Sequence, residues 1–176
     1  MNKIISSIIS LLFLIGVNSV SAEETIKVGS VAPDFTLVDQ KNQPQTLSKM
    51  KGRWLVLYFY PKDETPGCVA EACSFRDNMV AIRAKNTVVW GVSVDNKESH
   101  ADFSKHHQLP FTLLADPDGK VAQRYGSIRD LLIFKIAKRH SFIIDPKGNI
   151  AKIYRNVTPK SHVEEVLNDL QKLQGS

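Results

Sequence analysis

The sequence predicts an α/β sandwich with a mixed central sheet flanked by helices, and three observations lead there. The run Trp54 to Tyr60 is continuously apolar and aromatic, as suits a central strand covered on both faces. Helical patterns alternate with further strand-like runs along the chain. Near the end, two strand-like segments are joined by the turn sequence Asp145-Pro146-Lys147-Gly148 and read as a hairpin, which brings antiparallel pairing into the sheet.

Taken in order, residues 1–22 are set aside first. Lys3 is a short basic start, Ile4 to Val17 is an apolar run, and Val20-Ser21-Ala22 is a small-residue cleavage site, so the segment reads as a signal peptide. A retained anchor has the same composition, but Ser6, Ser7 and Ser10 interrupt the run and it falls short of the roughly 20 apolar residues a span needs. The expectation is an exported, periplasmic protein whose mature part, residues 23–176, makes one domain and a monomer without membrane contact. After the Trp54 strand, Cys68 to about Ala84 reads as a helix and Thr87 to Val94 as a second buried strand. Lys97 to about His107 is the next helix. The hairpin pairs Ser141–Ile144 with Ile150–Tyr154, and Pro159 to Leu173 is a last helix, with Val163, Val166, Leu167, Leu170 and Leu173 at helical spacing.

Charge excludes little but helps. The net charge of +5 falls to +4 without Lys3, and the one dense basic cluster, Lys135, Lys138 and Arg139, has neither aromatic interleaving nor a nucleic-acid motif around it. No nucleic-acid partner is expected.

The chemistry lies in the two cysteines, Cys68 and Cys73. An even, small cysteine count in an exported chain reads by default as a structural disulfide. Against this, Thr65 is a permitted N-cap and Pro66 suits the first helical position, so Cys68 falls in the first turn of a helix that follows a buried strand. Backbone amides there lack intrahelical partners, and the positive end of the helix dipole favours a negative sulfur. Cys68, Ala72, Phe75, Met79 and Ile82 form one stripe, which puts Cys68 at the head of the buried face. Cys73, five residues on, lies about 140° round the helix, with a Cα separation of roughly 8 to 9 Å. A disulfide needs less than about 7 Å. The pair therefore reads as a switch that closes only when the helix opens, with a permanent bridge as the alternative.

These residues resemble a known family. Pro61-Lys62-Asp63-Glu64-Thr65-Pro66-Gly67-Cys68 has the P-x-x-x-T-x-x-C form of peroxiredoxins, and Glu71-Ala72-Cys73-Ser74-Phe75-Arg76-Asp77 is similar to the PrxQ or bacterioferritin comigratory protein branch. Gly29 to Phe35 and Arg139 to Asp145 extend the likeness more loosely. The resemblance implies a thioredoxin-like fold and a thiol peroxidase acting on hydrogen peroxide and organic hydroperoxides. It also implies a peroxidatic Cys68 and a resolving Cys73, with Thr65 holding its hydroxyl to the peroxide, Pro61 shielding the pocket and Arg139 holding the thiolate and substrate oxygens. Gly67 joins the substrate pocket through the amides around it. Recycling would fall to a thioredoxin-like thiol reductant, with no cofactor and no metal. Val69-Ala70 and the more apolar Leu131-Leu132-Ile133-Phe134 depart from the family pattern.

A magnitude shows where rate must come from. Acidifying a thiol from about 8.5 to about 6 raises its thiolate fraction at pH 7 roughly thirtyfold, while a Brønsted slope of about 0.45 takes back a little over tenfold. The larger effect must come from groups that bind the stretching O–O bond.

Other signals have plainer readings beside their functional ones. His100, His106 and His107 could suggest metal but read as solvated surface, because no recognised motif is completed. Leu131 to Phe134 could be an apolar patch for a reductant, a second copy or a membrane, and reads more readily as buried core. Arg139 could be an ordinary surface cation. The competing function is an exported, thioredoxin-fold copper-binding or copper-delivery protein, disfavoured because such proteins usually space their cysteines by three residues. A general disulfide oxidoreductase would show C-x-x-C, which is missing.

Overall fold

The computed structural model describes residues 26–131 and 134–175; the segment read as a signal peptide lies outside them. The elements are β1 (Thr36–Asp39), β2 (Pro44–Thr46), β3 (Trp54–Phe59), α1 (Pro66–Asp77), α2 (Met79–Ala84), β4 (Thr87–Ser93), α3 (Lys97–His106) and β5 (Thr112–Ala115). They continue with α4 (Lys120–Arg124), β6 (Ile128–Asp130), β7 (Lys135–Ala137), β8 (His140–Ile144), β9 (Ile150–Tyr154) and α5 (His162–Gln174).

Seven strands form one mixed sheet in the order β2-β1-β5-β4-β3-β8-β9. β3 pairs in parallel with β4 and antiparallel with β8, so the strand expected at the centre lies there. Its side chains alternate between two cores, as the period of two requires. Val56, Tyr58 and Tyr60 join Cys68, Phe75, Ile82, Phe103 and Leu170 beneath α1, α2, α3 and α5. Leu55, Leu57 and Phe59 join Phe35, Trp90, Tyr125 and Phe142 on the other face. The hairpin forms as expected, its turn held by Asp145 Oδ1, which accepts from the Lys147 and Asn149 amides at 2.9 Å each.

The helix expected over Cys68 to Ala84 is two. The Asn78 side chain donates to the Ser74 carbonyl at 2.9 Å, and its backbone turns to φ −102°, ψ 6°, ending α1. A side chain that competes for helical carbonyls in this way disfavours helix interiors. The predicted stripe survives the break, since all five of its residues are buried in one core. Two readings are corrected, one of surface and one of core. His100 is fully buried, because its ring satisfies a buried carboxylate. Leu131 and Phe134, from the run read as core, are 40% and 55% exposed, because they follow β6 and precede β7 outside both cores, while Leu132 and Ile133 lie outside the described residues.

Candidate active site

β3 ends beside the C-terminal end of its parallel neighbour β4, and the chain turns through Tyr60–Thr65 straight into α1. Open α/β sheets bind ligands at such carboxyl ends. The loop is pinned from below. Asp63 is buried and accepts from Tyr60 Oη at 2.7 Å and Ser99 Oγ at 2.7 Å, while its amide donates to Asp95 Oδ2 at 2.9 Å. Glu64 takes a left-handed φ of 60°, and its carboxylate meets His106 at 3.0 Å and His107 at 2.9 Å. The neighbouring histidines hold Glu64 below its ordinary range. Neither of these exposed pairs carries much stability.

Thr65 is the N-cap residue, yet its hydroxyl donates to the Lys62 carbonyl at 2.9 Å rather than to a helix amide. The proton is thus committed, and the oxygen's lone pairs remain free to accept. Pro66 opens the helix, and the amides of Gly67 and Cys68 have no intrahelical partner. Cys68 is only 1% exposed. Arg139 Nη2 donates to its Sγ at 3.3 Å, and Arg139 Nη1 donates to Glu71 Oε2. One planar fork therefore bridges the sulfur and a carboxylate. A Cβ at Gly67 would stand 3.3 Å from Arg139 Nη2, so the missing side chain is what lets the guanidinium lie over the first turn.

Glu71 is the residue that sequence reasoning passed over, although it stands in the motif beside Cys73. It is fully buried, and burial pushes its carboxyl up to about 7, with Arg139 opposing. Its Oε1 and the Tyr58 hydroxyl are both buried without a hydrogen-bond partner among the described residues. Burial first, then Glu71 and the Cys68 sulfur, hold the Tyr58 phenol well above its ordinary value. Tyr58 stacks on Phe75 at 4.9 Å between ring centroids, and it lies across Gly91, where a Cβ would come 2.7 Å from the ring. A charged polar network in the first turn of α1 thus rests on an aromatic floor.

Cys73 is half-buried, and both cysteines are free thiols on an intact α1. Arg139, which reaches the sulfur, also walls a cleft of about 410 Å³, together with Pro61, Lys138, His140, Arg155 and Arg129 among others. Of the residues proposed from sequence, Thr65, Gly67, Cys68 and Arg139 come together at the helix start. Pro61 borders the adjoining cleft, and Cys73 stands apart.

Residues 28–153 match the AhpC/TSA family. The chain belongs to that family, in its peroxiredoxin Q/Bcp branch. It is 43% identical over 157 residues to the chloroplastic peroxiredoxin Q of Sedum lineare, covering 89% of this chain and 83% of that one. It is 40% identical to the peroxiredoxin Bcp of Bacillus subtilis over 84% of this chain and 96% of that one. Among solved structures, peroxidoxin BcpB from Mycobacterium tuberculosis superposes with a TM-score of 0.79 at 32% identity, covering 84% of this chain and 97% of that one. The fold is the thioredoxin-like fold of peroxiredoxins, and the activity is that of a thiol-dependent peroxidase. The copper-delivery alternative finds no support among these relatives.

Proposed function

We propose that this peroxiredoxin reduces hydrogen peroxide and organic hydroperoxides through Cys68, with Cys73 closing an intramolecular disulfide. The observation that carries the reading is the Arg139 fork, 3.3 Å from Cys68 Sγ in the first turn of α1. A solved relative, the bacterioferritin comigratory protein of Xanthomonas campestris, is described as having alkyl peroxide reduction activity, at 27% identity and a TM-score of 0.76 over 83% of this chain and 98% of that one.

In the first step the Cys68 thiolate attacks the distal oxygen, the O–O bond breaks, and the departing oxygen takes a proton to leave as alcohol or water. Cys68 is then a sulfenic acid. Arg139 and the amides of Gly67 and Cys68 stabilise the charge that spreads over the two oxygens, and the Thr65 oxygen accepts a hydrogen bond from the hydroperoxide O–H. Pro61 keeps water from the reacting sulfur. In the second step α1 unwinds, the Cys73 sulfur displaces water from Cys68, and a disulfide forms. A thioredoxin-like dithiol then reduces it by exchange. The protein works as a monomer, and residues 1–22 direct it to the periplasm, which sequencing the N-terminus of the secreted form would check.

Mixing reduced protein with one equivalent of hydrogen peroxide tests the chemistry by intact mass. Wild type should lose two hydrogens, and Cys73→Ser should gain one oxygen trappable at Cys68. Peroxide left untouched, or consumed equally by Cys68→Ser, would sink the reading.

A further inference from the structure

Hydrogen peroxide is little larger than a water, whose share of liquid volume is about 30 Å³. The cleft that shares Arg139 with the Cys68 site, at about 410 Å³, is more than ten times that and falls within the size range of small-molecule sites. Its lining is one-sided in charge. Arg129, Lys138 and Arg155 stand along it together with Arg139, and among the described residues no carboxylate lines it. Glu71 balances only Arg139, from the buried side. Arg155 is fixed in place, its Nη1 donating to the Tyr125 carbonyl at 3.1 Å and to His140 Nδ1 at 2.8 Å.

That last bond settles the tautomer of His140. Burial and then Arg155 lower its pKa to about 4, so the ring is neutral at working pH. With Nδ1 accepting from Arg155, Nε2 carries the hydrogen, and it has no partner among the described residues. His140 therefore adds a neutral donor to a wall of cations. Ile136, Val157 and Pro61 supply apolar surface between them. Cations, a neutral donor and apolar wall in a cleft that shares Arg139 with the reactive sulfur suit a molecule with an anion, a short alkyl body and a hydroperoxide.

Resting on the peroxidase reading above, we propose that this cleft is a subsite for the anionic end of the substrate, so that small organic hydroperoxides bearing a carboxylate are preferred. The carboxylate is held by Lys138 and Arg129 with the His140 Nε2–H, and its alkyl body lies on Ile136 and Val157. Charge-assisted contacts of this kind are strong and are weakened by salt where they meet solvent.

The test compares 4-hydroperoxy-4-methylpentanoate with its primary amide, a neutral partner of nearly equal size, using dithiothreitol as reductant and hydrogen peroxide as a control. In wild-type protein the carboxylate should show a kcat/KM about tenfold above the amide at low ionic strength, and the gap should shrink at about 0.5 M NaCl. In the double variant Arg129→Gln/Lys138→Gln the two should come within about twofold, with hydrogen peroxide kinetics unchanged. Equal rates in wild type, or an advantage that survives in the variant, would overturn the subsite. So would an unchanged ratio accompanied by a raised KM for a protein dithiol, which would make the cleft a reductant dock. Failure to consume hydrogen peroxide at all would instead overturn the peroxidase reading.

Discussion

His100 Nδ1 lies 2.8 Å from Asp63 Oδ2, while the Nε2 of the same ring lies 3.1 Å from the Leu114 carbonyl. A carbonyl only accepts, so Nε2 carries a hydrogen. Nδ1 meets the carboxylate across the remaining short contact, and the loop that bears Thr65 hangs from it. Burial alone would raise the Asp63 carboxyl, but the hydrogen bonds from His100, Ser99 and Tyr60 outweigh it and hold it below its ordinary value.

Replacing His100 with Leu should therefore cost about 3 kcal/mol at neutral pH, because it strands a buried carboxylate. The sign with pH follows from the lowered value. The stabilisation is fully present above the ordinary carboxylate range and is lost as pH falls through the depressed folded value. Urea unfolding at several pH values should show the deficit narrowing in acid, and a deficit that is flat with pH would speak against the pair.

Glu71 should leave a mark on the pH profile. Below about 7 its carboxyl is neutral, and the Arg139 charge serves the sulfur and the peroxide alone; above about 7 that charge is shared. The Cys68 oxidation rate of wild type, divided by that of Glu71→Gln at each pH, should fall as pH rises through about 7. A constant ratio would remove Glu71 from the chemistry.

Arg139→Ala should slow reaction with hydrogen peroxide by about a hundredfold or more, and Thr65→Val by about tenfold or more, as expected for groups aimed at a developing charge. Alkylation of Cys68 by iodoacetamide should change much less in both variants. Stopped-flow fluorescence and mass-monitored alkylation compare the two directly, and equal losses would reject this division of labour.

Gly67→Ala should separate stability from turnover. Alanine favours a helix over glycine by up to about 1 kcal/mol, while the added Cβ meets Arg139 at 3.3 Å. Peroxide reduction should drop several-fold. Disulfide closure should also slow, so that a second peroxide over-oxidises Cys68 more often, which intact mass would record as further added oxygen.

The long, strongly patterned elements were legible in the sequence: β3, β4, α3, the β8–β9 hairpin and the stripe headed by Cys68. The three- and four-residue strands β1, β2, β5, β6 and β7 and the five-residue α4 were not, since so few residues carry no resolvable period. At the site, the residue types and spacing around Cys68 led to Thr65 and Gly67, whereas only the family resemblance singled out Arg139. Glu71 was missed because a carboxylate on a helix ordinarily reads as solvated, and only the tertiary approach of Arg139 makes its burial tolerable. His100 was misread for the same reason, its partner Asp63 being 37 residues away.

The joint at Asn78 bears on how far the opening of α1 can spread. With α1 and α2 closed by separate sets of backbone bonds, melting the first withdraws no carbonyl from the second except at Asn78 itself, whose oxygen receives the Ile82 amide at 3.0 Å. Met79 and Ile82 stay seated in the core. The break thus works as a fire-stop: oxidation can loosen residues 66–77 as one cooperative unit while amides in residues 79–84 keep their protection from exchange.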